Sequence, residues 1–305
     1  MKLKKTVADR RKQTEMERKP YMTQFAISAD GRALTWTGNG EYLCIEGWGA
    51  DSVRVRAAKM HEPFDLHYAL EQPMGAPTDV AITIDEASDT ATLVNGDIMV
   101  KAAAHHWCYG ASGYEEFRCV LSFYKADGTL LFEELPEGGS LNLKARRYRA
   151  IAGSDHEVTV SFVAPKDEHL YGMGEYQQNV MDLKGATFEL AHRNSQASIP
   201  FVVSSAGYGF LWNNPAIGRA TFAANRTEWH AESTKQIDYW VTVGETPAAI
   251  ERNYANATGH APAMPEWGLG FWQCKLRYWN QEQLLGIARE FKRRGIPLDL
   301  IVIDF

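Results

Sequence analysis

"GIPLDLIVIDF", Gly295–Phe305, is the stretch on which the fold turns. Pro297 has no N–H and stops any helix before it. Leu298, Leu300, Ile301, Val302, Ile303 and Phe305 then make the near-continuous apolar run of a strand covered on both faces. Full burial of these side chains is worth roughly 9–18 kcal/mol in total, at about 1.5–3 kcal/mol each. A whole domain is stable by only about 5–15 kcal/mol. An open edge on such a strand invites aggregation, so the expectation is that the chain is the front part of a longer protein.

Working back from that strand, "NQEQLLGIAREFKRRG" (Asn280–Gly295) places Leu284, Ile287, Ala288 and Phe291 on one helical face. Asn280 with Gln283 three residues later resembles a capping box, and Gly295 suits the stop. "WGLGFWQC" (Trp267–Cys274) predicts a strand before the helix, so the order is β-α-β with a right-handed crossover. "HAPAMPEW" (His260–Trp267), with Pro262 and Pro265, reads as a rigid boundary. Ahead of it, "TPAAIERNYANATG" predicts a connecting helix: Thr246 is the N-cap, Pro247 the first helical position, and Gly259 lies beyond the end.

From Thr23 to about Gly244 the texture is different. Runs such as "EYLCIEGWG", "DSVRVRAAKM", "HEVTVSFVAP", "IPFVVSS", "GYGFLWNN" and "IDYWVTVG" are short and rich in β-branched and aromatic residues. Asn95-Gly96 and Asp127-Gly128 supply hairpin turns between such runs. Many strands at this spacing predict a sandwich of antiparallel sheets.

The 305 residues, 45% hydrophobic, suffice for one large domain or two. A formal charge of -6 provides no basic field, which argues against nucleic acid as a partner. Cys44, Cys108, Cys119 and Cys274 lie far apart without paired histidines, so neither a zinc site nor a disulfide framework is expected. His105 and His106 are adjacent and would alternate faces on a strand, a poor ligand pair. No apolar run is long enough to span a membrane. The basic start, residues 1–22, has no apolar core of a signal and reads as a solvated tail or an amphipathic arm. A cytoplasmic location is the simplest expectation.

Four further stretches stand in a telling order: "HLYGMGEYQQ" (His169–Gln178), "SIPFVVSSAGYGFLWNN" (Ser198–Asn214), "MPEWGLGFWQCKLRY" (Met264–Tyr278) and "RRGIPLDLIVIDF" (Arg293–Phe305). Together they resemble family 31 of the glycoside hydrolases, and "FWQCKLRY" followed by "VIDF" is most similar to the α-xylosidase-like branch. The resemblance covers roughly residues 165–305; residues 23–164 match in β-rich character alone. It implies a mainly β chain: an N-terminal antiparallel β-sandwich of galactose-mutarotase-like type, then the first β-α-β of a truncated (β/α)8 barrel. The expected divisions are a charged tail at 1–22, the sandwich at 23–245, a connecting helix and linker at 246–264, and the barrel start at 265–305.

The resemblance also implies a retaining mechanism in which one carboxylate attacks the anomeric carbon and a second serves as acid and then base. In relatives both lie on later barrel strands, so no catalytic residue is expected here and the chain alone should be inactive. Two carboxylates perform such a reaction unaided, so neither metal nor organic cofactor is expected. The partner implied is an oligosaccharide with a terminal α-linked sugar.

Six substrate-binding candidates follow. Asp304 and Phe305 close the second barrel strand, at the end where barrel sites are built. In relatives the aspartate matching Asp304 binds sugar hydroxyls; by position alone it is equally a strand-end cap. Phe271 and Trp272 end the first barrel strand, as a stacking face for sugar or as core packing. The loop "LAHRNSQASIP" stands where relatives send a sandwich loop over the pocket, which nominates Arg193 and Asn194. Relatives often carry an acid there, and this chain has "HRNSQ". Asp299 and Asp304 face opposite ways along one strand, so they do not form a catalytic pair, and Asp299 reads as structural. Glu175 reads as part of a glycine-shaped turn.

The leading function is therefore an α-xylosidase or α-glucosidase. A non-catalytic carbohydrate-binding or scaffold sandwich is the first alternative, and an aldose mutarotase the second, although fold alone does not transmit function.

Overall fold

A computed structural model describes residues 24–71, 80–109, 114–136, 143–153 and 155–304. The basic start and Phe305 lie outside these residues. Numbered along the chain, the first strands are β1 (Phe25–Ile27), β2 (Ala33–Gly38), β3 (Glu41–Gly47), β4 (Ser52–Lys59), β5 (Ala81–Asp85), β6 (Thr90–Asn95), β7 (Ile98–Tyr109), β8 (Tyr114–Lys125) and β9 (Leu130–Glu133). They are followed by β10 (Arg146–Ala150), β11 (His156–Val163), β12 (Leu170–Glu175), β13 (Thr187–Leu190), β14 (Ala197–Ser204), β15 (Tyr208–Trp212), β16 (Gly218–Phe222), β17 (Arg226–Thr234) and β18 (Ile237–Val243). Helix α1 (Pro247–Thr258) comes next, and then β19 (Trp272–Gln273), α2 (Gln281–Arg293) and β20 (Leu300–Ile301).

The chain divides after Gly259 into two compact units. The first is an antiparallel sandwich, as expected. Its eight-stranded sheet has the order β1-β2-β3-β4-β18-β15-β14-β12; two five-stranded sheets run β5-β6-β7-β8-β9 and β10-β11-β17-β16-β13. Residues from all three sheets share one core. Phe123 of β8, Phe132 of β9, Phe162 of β11 and Phe210 of β15 meet Tyr239 of β18 or one another at ring distances of 4.5–6.3 Å. Opposite-facing residues of the large sheet, Phe201, Leu211 and Trp240, form a second cluster with Trp48 and with Ile250 and Ala257 of α1. This helix is capped as expected: the Thr246 side chain accepts from the Ala249 N–H, and Pro247 opens the helix.

Charged groups inside the sandwich are paired, which burial demands. Fully buried Arg54 of β4 and Asp238 of β18 bond through two contacts of 2.7 and 3.1 Å. Burial still pushes the Asp238 carboxyl above its ordinary range, against the pull of Arg54. Arg146 of β10 bonds Glu41 of β3, Glu134 after β9 and the Cys119 carbonyl of β8, fastening all three sheets.

Several strands escape the sequence pattern. β10, "RRYRA", is an arginine-rich edge strand, and β17, "RTEWHAEST", carries Arg226 and Glu228 half-buried and Glu232 exposed, so neither has the expected β-branched character. The segment read as a shaped turn around Glu175 is β12 instead, at the sheet edge. Its glycines serve a bulge: Gly172, Met173 and Gly174 have φ of 120°, 72° and 86°, and the register against β14 shifts there. Met173, a non-glycine at positive φ, is held in place by complete burial of its side chain.

In the second unit the expected β-α-β order is present, with shorter strands. Glu266–Leu269, overlapping the start of the "WGLGFWQC" segment, forms a 3-10 turn, leaving Trp272–Gln273 as the strand. β19 pairs with β20 in parallel, Trp272 beside Leu300 and Gln273 beside Ile301. Asn280 caps α2 by accepting from the Gln283 N–H, while the Gln283 side chain accepts from the Trp279 N–H and not from Asn280. At the far end, the Gly295 and Ile296 N–H groups bond the Lys292 and Phe291 carbonyls, a Schellman motif with Gly295 at φ 68°. The strand expected to be covered on both faces is not: Leu298, Leu300, Ile301 and Val302 are half-buried and Ile303 is 74% exposed. β20 has β19 as its one hydrogen-bonded neighbour among the described residues. No helix among them is long and apolar enough to cross a membrane.

Candidate functional site

In the second unit the parallel pair is clamped at its start. The Asp299 carboxylate accepts the Phe271 N–H at 3.0 Å, while the Asp299 and Leu300 N–H groups donate to the Phe271 carbonyl. A Cβ on residue 270 would collide with that carboxylate, so Gly270 is what lets the two segments approach. Asp299 is thereby engaged in the strand pair. Asp304, by contrast, is exposed three residues past the end of β20, on the carboxyl side of both strands. The Phe271 ring stacks on Phe291 of α2 at 5.7 Å, a packing contact. Trp272 is 47% exposed, with its Nε1 donating to the Gly268 carbonyl. Beyond β19, Lys275 lies over the Tyr278 ring and Arg277 over the Trp279 ring. Phe305 falls outside the described residues.

The sandwich has its own candidate, a cleft of about 750 Å³ at the end of β13, the start of β14 and the end of β15, lined also by Tyr254 of α1. Its walls are largely apolar, including Leu190, Ile199, Pro200, Leu211 and Ile217; His192, Arg193, Ser198, Asn213 and Asn214 add polar groups. The two asparagines are structural fasteners. Asn213 bonds the Ala69 N–H and the His67 carbonyl, and Asn214 bonds Thr234, the Gln236 carbonyl and the Ala216 N–H.

The loop between β13 and β14 carries the nominated pair. Arg193 reaches the cleft, but its guanidinium forks onto the Glu189 carboxylate, with Nε and Nη2 contacts of 3.0 and 2.6 Å. That pairing holds the Glu189 carboxyl below its ordinary range and raises Arg193. Asn194 is exposed at the tip of the turn that Arg193 and Gln196 bridge, with Ser195 at φ 64°. Two residues of this region were not singled out from sequence. His192 lines the cleft and accepts the Ser198 N–H on Nδ1, and Tyr176 bonds both ends of the loop. Their partners are 6 to 22 residues away, so no local pattern announces them.

Comparison with known proteins agrees with this architecture. The model of the glycosyl hydrolase 31 N-terminal galactose mutarotase-like domain matches residues 42–219, and that of the glycosyl hydrolases family 31 TIM-barrel domain matches residues 261–305. The chain is 41% identical over 290 residues to an uncharacterized family 31 glucosidase of Pseudescherichia vulneris, covering 90% of this chain and 52% of that protein. It is 34% identical to α-xylosidase A of Aspergillus niger, covering 93% of this chain and 39% of the relative. Among solved structures, a GH31 α-xylosidase from a soil metagenome, complexed with xylose, superposes with a TM-score of 0.76 at 43% identity, over 92% of this chain and 41% of the other. The chain thus spans about half the length, or less, of these relatives.

Proposed function

The chain belongs to family 31 of the glycosyl hydrolases, and from that premise we propose that it forms part of a longer, retaining α-glycosidase acting on terminal α-xylosidic or α-glucosidic bonds of oligosaccharides. In this reading residues 23–245 are the sandwich domain, 246–264 the connection and 265–305 the start of the catalytic barrel. The observation that carries it is the parallel β19–β20 pair joined through α2, the repeating unit of such a barrel, in a chain similar to proteins named glucosidase and α-xylosidase.

Barrel chemistry is built at the carboxyl ends of the strands, which is where Asp304 lies relative to β19 and β20. Its role is to accept hydrogen bonds from sugar hydroxyls. A carboxylate suits that work, because charge-assisted bonds are strong and tighten as positive charge develops on the ring. Trp272 offers a half-exposed aromatic face for the sugar's C–H groups, and Phe305, next to Asp304 in sequence, is the second aromatic in this reading. Phe271, stacked on Phe291, contributes by packing more than by contact. In the sandwich loop, Arg193 and Asn194 are the substrate-binding residues of this reading. The nucleophile and the acid/base are supplied by parts of the enzyme other than these residues, about 5–5.5 Å apart as retention requires. The reaction calls for no metal and no organic cofactor.

Two preparations test this: the 305-residue chain, and the protein translated from the whole open reading frame of its gene, each assayed on p-nitrophenyl α-xyloside and α-glucoside. The expected result is no hydrolysis by the shorter chain, and hydrolysis by the longer protein with the α-anomer of the free sugar appearing first. Hydrolysis by the shorter chain, initial release of the β-anomer, or a frame that closes at codon 305 overturns the reading.

A further inference from the structure

We propose that the sandwich holds a small monovalent anion, of chloride's size, where its three sheets meet, and that Lys59 is the charge that binds it.

The place is a cavity of about 50 Å³. Asn39, Glu41 and Lys59 line it from the large sheet, Arg118 of β8 from the second sheet, and Lys144 and Arg146 from the third, at and just before β10. The Asn39 side chain ties the β2–β3 turn to β8, donating to the Phe117 carbonyl at 2.8 Å. A water needs about 10–15 Å³ of such space. The cavity therefore admits a few waters or one compact ion, and is too small for a sugar or a phosphate ester.

Most of the charge around it is already matched. Arg118 and Lys144 converge on Glu116, at 2.9 and 2.6 Å. Arg146 lies between Glu41 and Glu134. The Glu41 oxygen that accepts Arg146 Nε also accepts the Tyr148 hydroxyl, so that carboxylate is turned to the wall. Each of these cations has its carboxylate.

Lys59 differs. It ends β4 half-buried, and among the described residues its ammonium bonds the Asn39 carbonyl, a neutral partner, and forms no ion pair. Burial holds that ammonium below the ordinary lysine range; Glu41 pulls the other way, and the charge of Lys144 adds to the depression. A charge withdrawn from water without a counter-ion is costly. One anion beside Lys59 supplies the missing charge, and because the excess is single the ion is monovalent. Bound there, it links β4 of the large sheet to the approach to β10, beside the link that Arg146 already makes.

The test follows thermal unfolding of the 305-residue chain at constant ionic strength while chloride replaces gluconate, an anion too large for the cavity. An ion that binds only the folded state stabilises it in step with its occupancy. A saturating rise in melting temperature is expected, about 2–4 °C once chloride reaches ten times its dissociation constant. Lys59→Met keeps the bulk of the side chain and removes its charge, and is expected to abolish the difference between the two salts; Lys59→Arg keeps part of it. Bromide-soaked crystals of the unaltered chain locate the ion without any variant, by an anomalous peak beside Lys59 Nζ. Equal melting temperatures in chloride and gluconate, a chloride effect undiminished in Lys59→Met, or no bromide peak beside Lys59 overturns the site. None of these readouts depends on glycosidase activity.

Discussion

The sandwich and the C-terminal unit use the same local grammar and end with different burial. Both have a helix opened by a side-chain cap, on Thr246 and on Asn280. Both have strand pairs in register and glycines where the backbone needs them. In the sandwich, however, Trp36, Trp212, Trp229 and Trp240 are fully buried, whereas no described residue from 260 to 304 is. Leu276, Trp279 and Ile303 are more than 70% exposed. Caps and registers shape an element; only apolar contact from other elements stabilises it, and a helix of 13 residues is marginal by itself.

That contrast is open to attack, beginning where the largest effect is expected. Asp238→Ala leaves Arg54 buried without its main partner, which costs about 3–5 kcal/mol. Urea unfolding of the sandwich is expected to show it, while Asp299→Ala, which breaks the β19–β20 clamp, leaves the same transition nearly unmoved. Equal shifts from both would erase the distinction between the units.

Thiol labelling comes next. Burial pushes the Cys44 thiol up to about 11, which cuts its thiolate fraction about 100-fold. Burial raises buried Cys119 further, whereas Cys274 is exposed. Peptide mapping after brief treatment with iodoacetamide is expected to find Cys274 modified and Cys44 and Cys119 intact until the protein is unfolded. Early loss of Cys44 would mean a looser sandwich than the one described.

The two caps sharpen the comparison further, because the chemistry is shared and the consequences should differ. Thr246→Ala and Asn280→Ala each remove about 1 kcal/mol from their own helix. Helix α1 is tied to the sandwich through Ile250 and Ala257, so its loss is expected as a fall of about 2–4 °C in the main melting temperature. The loss in α2 is expected as faster local amide exchange, with that temperature unchanged.

The smallest effect is electrostatic. Hydrogen bonds from Arg293 and Arg294 lower the Glu290 carboxyl from an ordinary 4.5 to about 2. With the folded value depressed, the pairing's contribution is complete above the ordinary value and is lost as pH falls toward 2. A slight decline in helical circular dichroism between those limits, absent in Glu290→Gln, is the expected signature.

Much of the architecture was legible beforehand. The turn at Asn95-Gly96, the Thr246 and Asn280 caps and the stop at Gly295 are local signals, each written within a few residues. Strands β10 and β17 were not legible, because a strand with one wet face or a free edge tolerates arginine and glutamate. The glycines of β12 pointed to an unusual backbone, but whether they make a turn or a bulge depends on β14 lying alongside. At the candidate site, Asp304 was visible as the acid after an apolar strand. The pairing of Arg193 with Glu189 and the hydrogen bonds of His192 and Tyr176 were not.

The sequence by itself determined the mainly β front, the β-α-β close and membership of the family, because hydrophobic period, turn chemistry and motif order are properties of neighbouring residues. Only the tertiary structure decided that β4 lies against β18, so that Arg54 meets Asp238 across 184 positions, and that Tyr176 bridges the two feet of a loop. Those contacts join residues that the chain keeps apart, and their energies exist only once the sheets have closed over them.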